Sequence, residues 1–167
     1  MSKRLYYSSC SLAAPHIGVV IDDILAGKEE GDEIYWAYCH DGLSSCFMNL
    51  DGYPCICQFC HKMYRQYQRV YGAGVHMLPI RKEDMKHRNM TFDFQKADEL
   101  EDFTYRDVKV GRSVLSLYYT TTRDLDMNRY DEFHTYALPL VSELCDLVDK
   151  AYEIIDQVKP DMIIVHN

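Results

Sequence analysis

Several features that mark other protein classes are missing from this 167-residue sequence. No run of about 18 apolar residues is present, so nothing predicts a transmembrane helix. The N-terminal residues lack a hydrophobic signal core, which predicts a cytoplasmic protein. An excess of positive charge is also missing, because 26 Asp and Glu outnumber 18 Lys and Arg and the formal net charge is −8. Nucleic-acid binding depends on Lys and Arg neutralising phosphates, so we expect no nucleic-acid partner, and the same argument disfavours an anionic membrane surface.

Glycine-rich phosphate-binding loops are also absent. The sequence has no G-x-G-x-x-G after its first predicted strand and no G-x-x-x-x-G-K-[ST] anywhere. The loop after that strand instead carries Ser9, Cys10 and Ser11, and His16 lies in the first turn of the next helix. Backbone N–H groups at a helix N-terminus can bind an anion, so these residues are candidates for substrate binding. Ordinary capping of the helix by serine is the alternative.

The sequence does contain a regular alternation of strands and helices. Hydrophobic periodicity predicts strands at 4–8, 31–39, 75–80 and 161–167, and helices at 15–26, 57–71, 110–125 and within 128–158, with a strand left open as the alternative at 110–125. Strand–helix–strand units of this length imply a parallel sheet with right-handed crossovers. We therefore predict an α/β fold: one Rossmann-like domain over residues 1–167, with three αβα layers and a mostly parallel sheet.

Local patterns add detail to this prediction. Gly27 is expected to stop the first helix. The helix at 57–71 is expected to place four apolar residues on one face, namely Phe59, Met63, Tyr67 and Val70. Pro139 either starts the last helix or kinks a longer one. The strand at 161–167 is nearly all apolar, which is typical of a strand buried on both faces of a parallel sheet.

Five of the seven cysteines are concentrated in residues 39–61, an irregular loop expected after the second strand. Cys39 and Cys46 form one pair, and Cys57-x-x-Cys60 forms a second. Four thiolates around a tetrahedral zinc ion would stabilise a loop that has little core of its own. Cys55 is then a spare thiol, and His40 or His61 could replace one ligand.

The same cysteines are also compatible with four roles that involve no zinc. They are reduced thiols packed in the loop, disulfides, an iron–sulfur cluster or a redox-active Cys-x-x-Cys pair. A reducing compartment disfavours disulfides. The C-x-C-x2-C pattern of Cys55, Cys57 and Cys60 matches neither common ferredoxin pattern, and the Cys-x-x-Cys pair follows a long irregular loop where the redox motif follows a strand.

The end of the last predicted strand supplies two more candidates. In open α/β sheets, ligands bind beyond the carboxyl ends of the strands. His166 and Asn167 lie at such an end, so we count them as substrate-binding candidates. The loop that should follow this strand is not in the sequence, and we expect the chain to be one domain of a longer polypeptide.

Three segments, in this order, resemble the N-terminal half of bacterial GT-B glycosyltransferases of surface or capsular polysaccharide biosynthesis. The first is CHDGLSSCFMNLDGYPCICQFC, in which Asn49 and four cysteines match: Cys39, Cys46, Cys57 and Cys60. The second is YRDVKVGRSVLSLYYTTTRDLD, similar to a Tyr-x5-Gly segment followed by a helix and an arginine. The third is VKPDMIIVHN, which resembles a Lys-Pro-Asp element followed by an apolar strand and Asn.

This resemblance implies a two-domain enzyme with its active site between two Rossmann-like domains. The chain would be the acceptor-side domain and inactive alone, and the nucleotide-sugar donor would bind mainly the missing C-terminal domain. The acceptor would be a glycan or a lipid-linked sugar, which implies a peripheral membrane contact in the full-length protein. Chemistry of this class needs no metal at the reaction centre, so the cysteines would be structural, and no catalytic residue is carried over. The alternative is a free-standing flavodoxin-like binding module with a zinc-stapled interaction loop.

Overall fold

The protein has an α/β fold built on a fully parallel sheet of four described strands. The computed structural model describes residues 1–12, 15–43, 46, 48–49, 52–86, 92, 94, 97–122 and 132–165. The strands are β1 (Lys3–Ser8), β2 (Glu33–His40), β3 (Val75–Arg81) and β4 (Met162–Val165), in the spatial order β3-β2-β1-β4. Leu5 of β1 lies opposite Tyr35 on one side and Ile163 on the other. The predicted α/β class is confirmed, and the order is compatible with a Rossmann-like sheet.

Five helices lie within the described residues. They are α1 (His16–Glu29), α2 (Pro54–Tyr71), α3 (Ala97–Glu101), α4 (Val110–Thr122) and α5 (Glu132–Val158), and a single 3₁₀ turn covers Lys82–Asp84. The segment at 110–125 is thus helical where it is described, and Pro139 lies inside α5 and does not start it. No helix in the described part of the chain is both long and apolar enough to cross a membrane.

Helix α1 runs further than the sequence predicts. Gly27 is a buried residue within the helix and does not end it. An added Cβ at Gly27 would come within 3.0 Å of Ile34 Cδ1 on β2, so the glycine allows the helix to approach the sheet closely. The chain turns instead at Gly31, whose φ of 82° lies in the left-handed region that glycine tolerates.

Helix α2 differs from its prediction in both start and face. It begins at Pro54, because proline suits the first helical turn. Phe59 and Val70 are exposed, and the buried residue of the helix is Tyr64. The Tyr64 hydroxyl lies 2.9 Å from Ser8 Oγ, and Ser8 Oγ also accepts a 2.8 Å bond from Trp36 Nε1. This network holds the buried face of the helix against the carboxyl end of β1.

Strand β4 is not the doubly buried strand that its sequence predicts. It lies beside β1 at one end of the described sheet. Met162, Ile163 and Val165 are 49% to 58% exposed. An apolar run indicates a strand but reports neither its place in the sheet nor whether its faces are covered, and β4 lies at an end of the described sheet with these side chains largely uncovered.

The chain divides into two compact units. The first comprises Met1–Asp84 and Glu153–Asn167, and the second comprises Met85–Tyr152. The core of the first unit joins α1 to the sheet and to α2, and is built from Tyr6, Ile17, Val20, Ile21, Ile24, Ile34, Trp36, Tyr38 and Tyr64. The core of the second joins α3, α4 and part of α5, and is built from Leu100, Val110, Val114, Leu115, Tyr118, Leu140, Val141 and Cys145.

Candidate metal and ligand site at the carboxyl edge of the sheet

The parallel pairing of β1 and β2 brings together cysteines that are far apart in the sequence. Ser8, the last residue of β1, lies opposite Tyr38 of β2. Cys10 follows the end of β1, and Cys39 lies at the end of β2. Because neighbouring parallel strands end at the same edge of a sheet, the two thiols lie at the same edge.

A small cavity at this edge is lined with sulfur. Its volume is about 20 Å³, enough for one water molecule or one ion. Five cysteines contribute to its wall, namely Cys10, Cys39, Cys46, Cys57 and Cys60. All seven cysteines of the chain are free, so disulfides are not supported, and the spare thiol of Cys55 is exposed.

Ser11 ties the loop after β1 to helix α2. The residue is only 1% exposed. Its hydroxyl lies 2.8 Å from the Cys60 carbonyl oxygen and 3.0 Å from Cys60 Sγ, and its backbone N–H donates to the same sulfur over 3.4 Å. The loop therefore provides two donors to one sulfur, an arrangement that favours a thiolate at Cys60.

Cys10 affects the pKa values of two neighbouring thiols, those of Cys46 and Cys60. Hydrogen bonding to Cys46 and then to Cys60, together with burial, raises the pKa of the Cys10 thiol far above its ordinary value. Hydrogen bonding from Cys10 is also the largest cause that lowers the pKa of Cys46 and of Cys60 to about 6. Burial raises the pKa of Cys39 to about 11. Hydrogen bonding from Cys10 therefore favours the thiolate at Cys46 and Cys60, the form of cysteine that binds metals.

Asn49 organises the segment between β2 and α2. The residue is 5% exposed. Its Nδ2 donates to the Tyr53 carbonyl over 3.0 Å and to Cys57 Sγ over 3.3 Å, while its Oδ1 accepts from Tyr53 N over 2.8 Å. Its backbone N–H donates to the Cys46 carbonyl. One buried amide thus fixes the entry into α2, which gives a structural reason for asparagine at this position.

A second group of metal-binding side chains lies at the same edge. The rings of His40 and His61 stack with their centroids 3.9 Å apart, and Asp41 Oδ1 lies 3.8 Å from His40 Nδ1. Burial, and then the neighbouring His40, lower the pKa of His61, which favours the neutral imidazole. Among the described residues, this is the one set of three or more His, Cys, Asp or Glu side chains whose ligand atoms all lie within 4.8 Å of one another.

The sequence named both histidines as substitute ligands but missed Asp41. The signal was available, because Asp41 directly follows His40. Its backbone adopts a φ of 58°, which a short polar residue tolerates better than most. His61 belongs to α2, whereas His40 and Asp41 lie at the end of β2. A hydrophobic pattern gives no information on whether side chains of two different elements meet.

The substrate-binding candidates are only partly gathered at this edge. Ser9 and Cys10 line the cavity, and Ser11 bonds to α2. His16 begins α1 and is exposed, while His166 and Asn167 lie outside the described residues. Capping of α1 by serine is wrong, because the N-cap is Pro15 and makes no side-chain hydrogen bond.

The segment that begins at Tyr105 forms a separate polar cluster in the second unit. The Tyr105 hydroxyl donates to the Asp149 carboxylate at 3.1 and 3.2 Å, and Arg106 Nε lies 3.0 Å from Asp149 Oδ1. Asp149 is 6% exposed. A buried carboxylate that is paired with a guanidinium and a phenol is structurally satisfied, so the tyrosine has a role in the fold.

Comparisons of the chain with protein-family models, with curated proteins and with solved structures give no match.

Proposed function

We propose that the chain is the N-terminal, acceptor-side domain of a GT-B glycosyltransferase of surface-polysaccharide synthesis. Such an enzyme moves a sugar from a nucleotide-sugar donor to a glycan or lipid-linked acceptor. The observation that carries the proposal is the strand order β3-β2-β1-β4 in a parallel sheet. The order reverses between β1 and β4, and ligands of open α/β sheets bind beyond the strand ends at such a point. The three-layer arrangement and the cysteine-rich insertion after β2 belong to the same proposal.

Residues of the Lys-Pro-Asp element support this arrangement. Lys159 adopts a φ of 50° directly after α5. The Asp161 side chain accepts a hydrogen bond from Lys3 N over 2.8 Å, and Asp161 N donates to the Lys3 carbonyl over 2.9 Å. The element therefore starts β4 in register with β1, which is the pairing that creates the reversal.

The loop after β1 offers suitable chemistry for a sugar acceptor. Ser9 faces the cavity at the end of the strand, and His16 is exposed at the start of α1. Hydroxyl and imidazole groups hydrogen-bond sugar hydroxyls without requiring charge on the acceptor. The cysteines in this proposal hold the loop in shape and take no part in sugar transfer.

The test uses the complete reading frame that contains this chain. We expect the full-length protein, and not the 167 residues alone, to release nucleotide from one member of a panel of nucleotide sugars when acceptor is added. His16→Ala should raise the acceptor KM by about 2- to 10-fold, the equivalent of one lost hydrogen bond. His76→Ala is the control, because His76 lies near the amino end of β3, away from the carboxyl edge of the sheet. Transfer by the isolated chain, or no release by the full-length protein, would contradict the proposal.

The second candidate is a binding module with a zinc-stapled interaction loop. The sulfur-lined cavity favours it, since a structural zinc site can organise a loop for protein contact. A stop codon directly after Asn167, together with zinc bound to the purified protein, would support this candidate over the enzyme.

A further inference from the structure

The two stacked histidines at the carboxyl edge are positioned by buried aromatic rings. Residues two apart on a strand share a face, so His40 and Tyr38 lie on the same face of β2. Tyr64 of α2 packs on Tyr38 with ring centroids 4.4 Å apart, and Tyr64 is only 1% exposed. His61 lies three residues before Tyr64 on the same side of the helix, and its ring stacks on that of His40. The packing of α2 on β2 therefore brings the two imidazoles together.

The backbone of Asp41 is held by the neighbouring strand. Asp41 forms an isolated β-bridge with Arg81, the last residue of β3. Gly42 approaches the same strand so closely that an added Cβ would lie 2.7 Å from the Ile80 carbonyl oxygen. Two contacts with β3 thus fix the turn after β2, and this turn carries a carboxylate whose Oδ1 lies 3.8 Å from His40 Nδ1.

One ring nitrogen of this group has no hydrogen-bond partner. His40 Nδ1 is buried and makes no hydrogen bond within the described part of the chain, because its 3.8 Å separation from Asp41 Oδ1 is too long for one. Buried polar atoms are nearly always paired, and an unpaired one calls for an ion, a water molecule or a functional role. An ion bound between the imidazole and the carboxylate would satisfy both groups.

We propose that His40, Asp41 and His61 bind one divalent transition-metal ion through one atom each, with water at the remaining positions. Their ligand atoms all lie within 4.8 Å of one another, and among the described residues no such set includes a cysteine. Two imidazoles and one carboxylate suit ions such as Zn²⁺, Fe²⁺ and Ni²⁺. The Asp41 side chain is 52% exposed and that of His40 is 35% exposed, so water reaches the site. Three protein ligands and an open position are typical of metal sites that bind an exchangeable ligand.

Metal binding requires only small movements of side chains. Ligand atoms of a tetrahedral site with bonds of about 2.0–2.1 Å lie about 3.4 Å apart, so the largest contraction needed is about 1.4 Å. The lone pair of an imidazole nitrogen lies in the plane of its ring, and the two rings are stacked with an interplanar angle of 13°. One ring must therefore rotate about its side-chain torsions before both nitrogens point at one ion. We expect metal binding to break the stack and to leave the backbone in place.

The test titrates the chain, purified under reducing and anaerobic conditions, with Co²⁺ and follows the visible spectrum. Asp41 and His61 also line the sulfur-lined cavity, so cobalt bound by cysteines has to be recognised, and a thiolate-to-cobalt charge-transfer band identifies it. We expect one ion per chain that lacks this band. His40→Gln, Asp41→Asn and His61→Gln should each weaken the binding of this ion by more than about 100-fold, beyond the roughly 10–100-fold that loss of an outer-shell partner costs.

His76→Gln is the matched control. The His76 ring also stacks on another ring, that of Tyr35, with centroids 4.7 Å apart. Its Nε2 lies 3.7 Å from Glu33 Oε1. His76 therefore has the same kinds of neighbours as His40, but within the described residues it belongs to no group of three metal ligands. This variant should bind cobalt as the unaltered chain does.

A second measurement uses the unaltered chain and covers the case in which a variant does not fold. Co²⁺ should protect His40 and His61 from modification by diethyl pyrocarbonate while His76 stays reactive, as read by mass spectrometry of the peptides. Three results would overturn the inference: no cobalt bound without thiolate charge transfer, equal binding by His40→Gln and His76→Gln, or equal reactivity of His61 with and without cobalt. The inference does not depend on sugar transfer, so its failure leaves the proposed enzyme untouched.

Discussion

Gly111 occupies a position in the second unit where a side chain has no room. It lies in the first turn of α4. An added Cβ would overlap the Leu100 carbonyl oxygen and lie 2.8 Å from the carbonyl carbon. A backbone carbonyl cannot rotate aside as a side chain can, so Gly111→Ala must push α4 away from α3. The shift would also strain the 3.1 Å hydrogen bond from Gly111 N to the Phe103 carbonyl.

The free energy of this change can be estimated from its parts. Alanine favours a helix over glycine by about 1 kcal/mol. Overpacking costs about 1–3 kcal/mol, and a buried group left without its partner costs about 1–3 kcal/mol. We therefore expect Gly111→Ala to lower the free energy of unfolding by about 3 kcal/mol, within a range of about 1 to 5. For a chain of this size the corresponding fall in Tm is about 6–12 °C.

Urea denaturation followed by far-UV circular dichroism measures this loss. Gly18→Ala is the matched control, because Gly18 is an exposed glycine of α1 with no atom within 4 Å of the added Cβ. We expect this control to leave stability unchanged or to raise it by up to about 1 kcal/mol. If Gly111→Ala proves as stable as the control, the close approach of α3 and α4 is not a feature of the protein.

Two further predictions concern the first unit. Tyr64→Phe keeps the buried ring but removes the hydroxyl beside Ser8, so the free energy of unfolding should fall by about 1 kcal/mol; Trp36 fluorescence in urea measures it, and an unchanged midpoint would show that the network is unimportant. Hydrogen bonds from the Ser2 backbone N–H, and also from Arg4, lower the pKa of Asp32. Its stabilising effect is therefore present above the unfolded pKa of about 3.9 and is lost as the pH falls through the lower folded value. Asp32→Asn should therefore destabilise the protein most at about pH 7 and progressively less as the pH falls below about 3.9, and a loss that is equal across this range would contradict this.

Local sequence patterns predicted which segments form strands and helices, but not where those elements lie in the fold. Strand–helix–strand alternation correctly indicated a parallel sheet, because spacing and periodicity record which residues face a neighbouring layer. The same reasoning put Gly27 at a helix end and β4 in the interior. Tertiary contacts decide whether a glycine ends a helix or lets a residue such as Ile34 pack closely against it. Tertiary contacts also decide whether an apolar strand is buried.

The candidate site was likewise predictable from the sequence only in part. Clustered cysteines drew attention to residues 39–61 without any structure, since soft ligands are rarely so dense. The sequence indicated Cys10 only as a substrate-binding candidate, because no motif spacing connects it to Cys46 or Cys60. Cys10 follows β1, Cys46 follows β2 and Cys60 lies on α2, and the folded edge of the sheet brings the three thiols to one cavity. Spacing motifs relate cysteines within one loop and do not report a thiol such as Cys10, which another strand brings to the same cavity.

The exposed side chains of β4 have a practical consequence. Among the described strands β4 lies at an end of the sheet, and Ile163 is about half exposed there. A strand edge that combines unpaired backbone groups with apolar side chains is a template for self-association. The concentration at which this chain stays monomeric should therefore be limited by one short strand, however well its two cores are packed.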